Sequence, residues 1–350
     1  MQRLTAPLRC VALAVALAAV LGCRQSRPDV IAQVTAPANI TDTVDVPAKT
    51  SGPDSDETKT DERLVFSVDD VIQQLTTAAD DLIEKKLTRT TAQLRPELDR
   101  PRFPLALPEP DMTELKTVEL YRRAVESVFL VAGITRPNEE VTAWQTSFST
   151  AFVIHADGIL STSAHVFDHE EVDDAVVVMD VQGTIYPVLE ILAANRAADT
   201  CLFRIGKKGL KPLPLKISAL PGTAIRVIGH PGDSFYFFSA GHIANYERDD
   251  LGSLWMNVTA DFGQGSSGGP TMDEAGNIVG QVSRTFTLYA GGETSQRSRK
   301  RKRTTRQQIE TQTMPSDAEV PENKQPEDRA DPQMVFKACT PASAIRDLTQ

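Results

Sequence analysis

A short glycine-rich segment, Gly263-Gln264-Gly265-Ser266-Ser267-Gly268-Gly269-Pro270, holds the residues whose types and spacing first suggest chemistry. Its glycines and proline favour a sharp turn over a helix or a mid-sheet strand. Such a turn can project a serine hydroxyl while nearby backbone N–H groups, here those of Gly265 and Ser267, stabilise the negative oxygen formed when an acyl carbon is attacked. The alternative is a glycine-rich surface loop, since short motifs also match by chance.

A serine hydroxyl becomes an effective nucleophile only when neighbouring side chains activate it. It needs a base within hydrogen-bond reach, and a histidine can take up and return a proton near neutral pH. The base in turn needs a carboxylate that fixes its tautomer and stabilises the imidazolium. The chain has five histidines, and one of them must be brought to the glycine-rich turn by the surrounding elements.

Those elements are predicted to be short β-strands. Turn signals recur between them about every eight to twelve residues, and Asp157-Gly158 is a two-residue hairpin signal, so the pattern indicates an antiparallel sandwich or barrel. The strands are predicted at Ser127–Gly133, Thr146–His155, Ile159–Thr162, Ala175–Asp180, Thr184–Ala194, Thr200–Gly206, Ala224–Gly229, Phe235–Ala244, Leu254–Thr259, Ile278–Ser283 and Met334–Thr340.

Three motifs resemble those of trypsin-like serine proteases, above all the bacterial Deg/HtrA branch. Thr162-Ser163-Ala164-His165-Val166 resembles the histidine motif, Asp199 with the apolar run after it resembles the aspartate motif, and Gly265–Pro270 resembles the nucleophile motif. They occur in the order His, Asp, Ser that this fold requires. Val227–Pro231 and Gly280–Ser283 are similar to the strand opening the second barrel and the strand lining the substrate cleft.

The resemblance, which covers residues 113–349, implies an all-β fold of two antiparallel β-barrels with an N-terminal helical segment and a C-terminal helix. It implies that His165 is the base, Asp199 its carboxylate and Ser267 the nucleophile. It also implies an oxyanion hole formed by Gly265 and Ser267, and a hydrogen bond from Ser283 that orients Asp199.

Residues of the same types compete for these roles. An apolar strand follows Asp199, whereas the other aspartates lie in polar turns, and the glycine two positions before Ser267 with the two after it favours Ser267 over its neighbour. The competitors are His155, His169, His230 and His242, then Asp168, Asp173, Asp174 and Asp180, and finally Ser266.

The sequence departs from the family pattern in several places. Ser266 stands where zymogen-type members carry an acid, so activation by pairing with a new N-terminus is not expected. Ser149-Thr150-Ala151 replaces the usual Gly-Ser-Gly, which alters packing behind His165. No PDZ domain is expected in the residues that follow Ser267. Asp261 lies six residues before Ser267, where trypsin has the acid at the base of its primary specificity pocket. It is either such a pocket residue or a solvated turn residue.

The N-terminus is predicted to be an export address. Residues 1–22 combine arginines, a short apolar run and small residues, as a secretory signal does, and Val20-Leu21-Gly22-Cys23 resembles the bacterial lipobox. Lipid on Cys23 would anchor the exported protein to a bacterial membrane, in the periplasm or on the outer face. The alternative is an ordinary signal ending in a chance cysteine.

Residues 23–62 are predicted to be a disordered tether, and residues 63–112 a helical N-terminal segment capped at Ser67 or Asp69. That segment either packs on the domain or is a partner-binding or trimerisation element. A further helix is predicted from Asp111 to Val125 with Thr113 as a cap. Within the protease domain, 113–349, the charged residues 290–332 are predicted to form a disordered insertion. Its functional alternatives are contact with an anionic membrane or cell wall, or a self-cleavage site.

Composition bounds the function further. A formal charge of −10 argues against general nucleic-acid binding, and four cysteines without a CxxC pair give no zinc site of usual spacing. No metal or cofactor is expected. Cys201 and Cys339 form either a disulfide or two separate buried thiols.

The sequence therefore predicts an exported, lipid-anchored serine endopeptidase that acts on a protein or peptide substrate. The alternative is an inactive relative that binds peptides or cell-envelope partners, and a purely structural lipoprotein leaves the three motifs unexplained. The oligomeric state and the natural substrate stay open.

Overall fold

The computed structural model describes residues 64–137, 143–169, 173–289 and 332–350, and all of them belong to one compact unit, Ile40–Gln350. The predicted signal segment, the lipidation site at Cys23, the tether at 23–62 and nearly all of the charged insertion lie outside the described residues. None of the described helices is long and apolar enough to cross a membrane.

Six strands form the first closed barrel, in the order β1-β2-β3-β6-β5-β4, and all neighbours in it are antiparallel. Valine, isoleucine, threonine and phenylalanine dominate these strands, as suits a pleated, half-buried surface. The strands are β1 Val128–Thr135, β2 Gln145–His155, β3 Ile159–Thr162, β4 Ala175–Met179, β5 Ile185–Asn195 and β6 Thr200–Ile205.

Six more strands close the second barrel, in the order β10-β11-β12-β9-β8-β7, again all antiparallel. The predicted fold class is thereby confirmed. The strands are β7 Ala224–Gly229, β8 Phe237–Arg248, β9 Leu254–Val258, β10 Pro270–Met272, β11 Ile278–Tyr289 and β12 Pro332–Pro341.

Helices lie at both ends of the described chain: α1 Val68–Glu84, α2 Thr91–Leu94, α3 Thr117–Val125 and α4 Ala342–Asp347. Ser67 caps α1, because its hydroxyl accepts a hydrogen bond from the Asp70 N–H at 3.3 Å. The predicted cap at Thr113 is wrong, since α3 begins four residues later with Lys116 at its N-cap position. Of the two interpretations of the N-terminal segment, packing on the domain is the one observed for α1, which lies against β1, β4 and β5.

The buried side chains form three clusters. One fills the first barrel and includes Phe129 and Phe203. Another fills the second barrel and includes Val227 and Val258. The third, which we call the interbarrel cluster, joins residues of both barrels with α1 and α4; its members include Leu75, Leu82, Leu130, Ala132, Ile134, Ile228, Met272, Ile278 and Ile345.

Candidate active site

Two neighbouring strands of the first barrel bring His165 and Asp199 together. His165 lies in a 3-10 turn, Ala164–Val166, directly after β3, and Asp199 lies directly before β6. Because β3 and β6 pair antiparallel, with Thr162 opposite Cys201, the end of one strand lies beside the start of the other. The third residue, Ser267, comes from the loop that precedes β10 in the second barrel.

The three side chains form a continuous chain of hydrogen-bond contacts. Ser267 Oγ lies 3.0 Å from His165 Nε2. His165 Nδ1 lies 2.9 Å from Oδ2 and 3.0 Å from Oδ1 of Asp199. The His165 backbone N–H also donates to Asp199 Oδ1, at 3.0 Å. With Nδ1 held by a carboxylate, Nε2 is left as the acceptor that a serine hydroxyl requires.

Asp199 is held firmly by the second barrel. The Ser283 hydroxyl donates to Asp199 Oδ2, and the Gln281 side-chain amide donates to the Asp199 carbonyl oxygen at 3.3 Å. The Asp199 backbone has φ of 52°, a left-handed conformation that aspartate tolerates better than most residues. Its carboxylate is therefore oriented both by its own turn and by β11.

The charge of Asp199 alters the proton affinity of His165. Burial disfavours the imidazolium, but the hydrogen bond and the charge of Asp199 outweigh burial, so the pKa of His165 is raised above its ordinary value. Half of the His165 side chain is exposed, at 50%, against 14% for Asp199. The imidazole is thus open to a substrate on one side while its carboxylate is shielded.

The turn that carries Ser267 depends on glycine at two positions. Gly265 has φ of 96°, and a Cβ built there would lie 2.2 Å from the His230 carbonyl oxygen. Gly268 has φ of 85°, and its Cβ would lie 2.2 Å from the Thr150 carbonyl oxygen. Neither position can hold a side chain without moving backbone, which explains the glycine pattern around Ser267.

Strand β2 fixes the same turn from the other side. The Thr150 N–H donates to the Ser267 carbonyl oxygen at 2.8 Å, and the Thr150 hydroxyl donates to the Gly265 carbonyl oxygen at 2.9 Å. The Gly268 N–H donates to the Val282 carbonyl oxygen at 2.8 Å. Thr150, predicted to alter packing behind His165, therefore acts on the serine turn itself.

The N–H groups of Gly265 and Ser267, the predicted oxyanion donors, have no hydrogen-bond partner within the described residues. These two N–H groups of one turn are therefore available to donate hydrogen bonds to a developing oxyanion.

The competing residues lie in other settings. His230 is fully buried, its Nδ1 accepts from the Tyr236 N–H at 3.0 Å, and burial lowers its pKa to about 3. His155 and His169 lie beside Asp157 and Asp173, and His242 is exposed. His165 is therefore the histidine that the described structure brings to Ser267.

The competing aspartates and Ser266 also have other partners. Asp168 pairs with Arg95 and Arg196, and Asp180 accepts hydrogen bonds within its own turn from the N–H groups of Gln182 and Thr184. Asp174 accepts from the Arg136 N–H, and Thr91 donates to Asp173. Ser266 is buried against Gly229.

Sequence reasoning included Thr150 and Gln281 in its motifs but missed the contacts that their side chains make. A polar amide between buried apolar neighbours in β11 was the available signal for Gln281, whose Oε1 accepts from the Ser161 hydroxyl at 2.6 Å. The sequence marked Thr150 only as a departure from the usual Gly-Ser-Gly. Its contacts with the serine turn could not be predicted, because they depend on how two distant segments meet.

The two cysteines of the barrels are free and buried. Burial raises the pKa of the Cys339 thiol to about 12, although a hydrogen bond with Thr271 opposes the shift, and burial likewise raises that of Cys201. Both thiols are therefore poor nucleophiles. Among the described residues, no group of three His, Cys, Asp or Glu side chains is placed to hold a metal ion.

Comparison with known proteins finds a family model and curated relatives that match part of the chain. Residues 149–280 match a family model described as a trypsin-like peptidase domain, which confirms the resemblance. A probable periplasmic serine endoprotease DegP-like from Ectopseudomonas mendocina is 27% identical over 41% of this chain and 31% of its own length. The anti-sigma-I factor RsgI9 from Acetivibrio thermocellus is 29% identical over 51% of this chain and 23% of its own length.

The chain thus spans about a quarter to a third of the length of these curated relatives. Two solved structures of the HtrA-type protease AlgW with decapeptide are also similar. They are 19% and 20% identical, cover 56% and 52% of this chain and 68% and 62% of their own, and give TM-scores of 0.42 and 0.44.

Proposed function

This chain carries a trypsin-like peptidase domain, and from that premise we propose that it is a serine endopeptidase with Ser267, His165 and Asp199 as its triad. The observation that carries the proposal is the unbroken contact from the Ser267 hydroxyl through His165 to Asp199, at 3.0 Å and 2.9 Å. Distances of this size allow a proton to move from oxygen to nitrogen as the oxygen attacks.

The first half of the reaction forms an acyl-enzyme. Ser267 Oγ attacks the carbonyl carbon of a peptide bond while its proton passes to His165 Nε2. The negative charge on the substrate oxygen is stabilised by the N–H groups of Gly265 and Ser267, and the imidazolium by Asp199. His165 then returns the proton to the leaving amine, and the C–N bond breaks.

The second half repeats these roles with water. His165 takes a proton from a water molecule, whose oxygen attacks the acyl carbon. The ester bond to Ser267 breaks, the proton goes back to Ser267 Oγ, and the product acid leaves. Ser283 and Gln281 contribute by keeping Asp199 in place, since both hold it from β11.

A fluorophosphonate probe tests the proposal directly. It labels a serine only when base and oxyanion donors activate that serine. We expect the wild-type protein to be labelled and Ser267→Ala not to be. Ser266→Ala is the matched control, because it removes the neighbouring hydroxyl, which does not contact His165 in the structure, and should keep the label. A folded wild-type protein that stays unlabelled would favour the inactive, peptide-binding alternative.

We also propose that the protein is exported and attached to a membrane through lipid on Cys23, on the basis of the segment Val20-Leu21-Gly22-Cys23. Cells grown with labelled palmitate should yield a labelled protein in the membrane fraction. Cys23→Ala should lose the label, whereas Cys201→Ala should keep it. Label on the Cys23→Ala protein would contradict the lipid proposal and leave the peptidase proposal untouched.

A further inference from the structure

On the side of β11 that faces β10, no described strand pairs with residues 283–285, which lie next to Ser267. The Ser283 carbonyl oxygen lies 3.4 Å from Ser267 Oγ. The neighbour on one side, β10, pairs with β11 only as far as Gln281, while the residues beyond pair with β12 on the other side. If the proposed function holds, an extended peptide can add to this edge with its reacting carbonyl at Ser267.

Lys337 lies on β12, across β11 from this edge. It is paired with Thr285, two residues beyond Ser283, and on its other side with Val258 of β9. Its side chain is only 16% exposed, an unusual burial for lysine. Its ammonium donates to the Phe262 carbonyl oxygen and lies over the Phe262 ring, 5.2 Å from the centroid.

The position of the reacting carbonyl determines where the neighbouring substrate side chain lies. The carbonyl carbon must meet Ser267 Oγ, and its oxygen must meet the N–H groups of Gly265 and Ser267. The side chain of that residue then lies between the segment leading to Ser267, which contains Phe262, and the strand that continues from Ser283. Lys337 bridges these two walls, because its backbone pairs with β11 and its ammonium reaches Phe262.

We propose that Lys337 determines specificity by binding the carboxylate of a Glu or Asp on the amino-terminal side of the cleaved bond. An ammonium has three N–H donors. Within the described residues Lys337 uses one of them, on Phe262, so two donors can bind an incoming anion.

Asp261 does not neutralise Lys337 for this purpose. Its Oδ1 lies 3.7 Å from the Lys337 ammonium nitrogen, beyond hydrogen-bond distance, and its side chain is 85% exposed. An ion pair with one partner in water is weak. A substrate carboxylate held between two protein walls is less hydrated and interacts more strongly with the same ammonium. A basic substrate side chain meets a like charge instead.

Cleavage preference tests the proposal. An unfolded casein digest, read by mass spectrometry, supplies a cleaved sequence, and four peptides are then made that carry Glu, Gln, Leu or Lys before the cleaved bond. We expect kcat/KM for Glu to exceed that for Gln by roughly ten- to a hundredfold, as a charge-assisted hydrogen bond provides. In Lys337→Met the ratio should fall to about one, while Lys211→Met, at an exposed lysine bound to Glu126, should keep it.

Fluorophosphonate labelling separates the two ways in which this test can fail. If the wild-type protein is labelled but cleaves Gln, Leu or Lys peptides as well as Glu peptides, only the role of Lys337 is overturned. A preference for the Lys peptide would indicate that Asp261 determines the specificity. An unlabelled wild-type protein overturns the proposed function and this inference with it. Labelling of Lys337→Met at the wild-type rate would show that its loss of preference is not a loss of the active site.

Discussion

At the scale of single residues, Asp199 controls the charge on His165. The proposed base must be neutral to accept the Ser267 proton, and the pKa of His165 is raised because the hydrogen bond and charge of Asp199 outweigh burial. Peptidase activity should therefore fall as the pH drops through this raised pKa, since protonation removes the base.

Asp199→Asn should change this profile in a defined direction. The neutral amide no longer stabilises the imidazolium, so the acid-side inflection of kcat/KM should move to lower pH, while kcat falls by about four orders of magnitude. A pH–rate profile measures both. Asp157→Asn, which alters the neighbour of His155 instead, should leave the inflection in place. An unmoved inflection in Asp199→Asn would contradict the assigned pair.

Gly265 provides a second test at this scale, because its conformation and its contact can be separated. Gly265→Ala places a methyl group 2.2 Å from the His230 carbonyl oxygen, whereas Gly252→Ala has a similar positive φ, 82°, with nothing within 4 Å. Both should cost about 1 kcal/mol of stability for the left-handed backbone. Only Gly265→Ala should also lose the oxyanion donor and about a hundredfold or more in kcat. Equal activity of the two variants would argue against this turn as the oxyanion site.

At the scale of elements, a 3-10 helix in the N-terminal segment, Arg95–Asp99, forms ion pairs with the loops that carry His165 and Asp199. Arg95 and Arg196 each bind one oxygen of Asp168, at 3.0 Å and 2.9 Å, and Arg196 also binds Asp99. Asp168 lies three residues after His165, and Arg196 three residues before Asp199. The network therefore holds the His165 and Asp199 loops in one arrangement.

Arg196→Ala should reduce kcat several-fold, because looser loops reach the reactive geometry less often. Stability should change little, since exposed ion pairs contribute about 1 kcal/mol or less. Steady-state kinetics and thermal unfolding measure the two effects. Lys211→Ala removes an ion pair with Glu126 on another surface and should change neither. An unchanged kcat in Arg196→Ala would show that this network of ion pairs does not contribute to catalysis.

The helices and strands also show which features of the fold could be predicted from the sequence. Alternating apolar residues predicted most strands, but β10 is only three residues long and follows the serine turn, so it had no pattern of its own. Helix α3 begins later than predicted because the second barrel holds the residues before it. The Asn277 side-chain oxygen accepts from the Asp111 N–H at 2.7 Å, and the Glu274 carbonyl oxygen accepts from the Leu115 N–H at 2.9 Å. Such tertiary contacts override a local cap.

The same distinction separates the site residues. His165, Asp199 and Ser267 could be predicted because each lies in a local motif, and the structure brings them within hydrogen-bond distance. Thr150 and Lys337 could not, because Thr150 acts across a gap of 115 residues and Lys337 across 75 residues, to Phe262. Those contacts depend on strand register, which no local pattern reveals.

At the scale of the whole molecule, the N-terminal segment joins the two barrels. Helix α1 packs on the first barrel, while Phe66 stacks on Tyr236, between β7 and β8, with ring centroids 5.0 Å apart. The N–H groups of Phe103 and Leu105 donate to Leu348 and Thr349 near the C-terminus, at 2.7 Å and 3.0 Å. The proposed triad spans the same junction, so its geometry requires both barrels to stay docked.

Leu75 lies fully buried in the interbarrel cluster, and removing most of its side chain tests this coupling. Leu75→Ala should lower the free energy of unfolding by about 2–5 kcal/mol. The chain has two tryptophans; Trp144 packs on the interbarrel cluster beside β2, and Trp255 lies in β9 of the second barrel. In a Trp255→Phe background the fluorescence change on urea unfolding comes from Trp144, directly before β2 on the shared cluster. In a Trp144→Phe background it comes from Trp255, inside the second barrel.

Both reporters should shift to lower urea by the same amount in Leu75→Ala, because a cluster shared by two barrels links their unfolding. Val118→Ala, at an exposed position of α3 with 62% of the residue accessible, should move neither midpoint. If only the Trp144 midpoint moved, the barrels would unfold independently, and α1 would stabilise the first barrel alone. The contacts of the proposed triad would then depend on the barrel interface alone, without a contribution from the N-terminal segment.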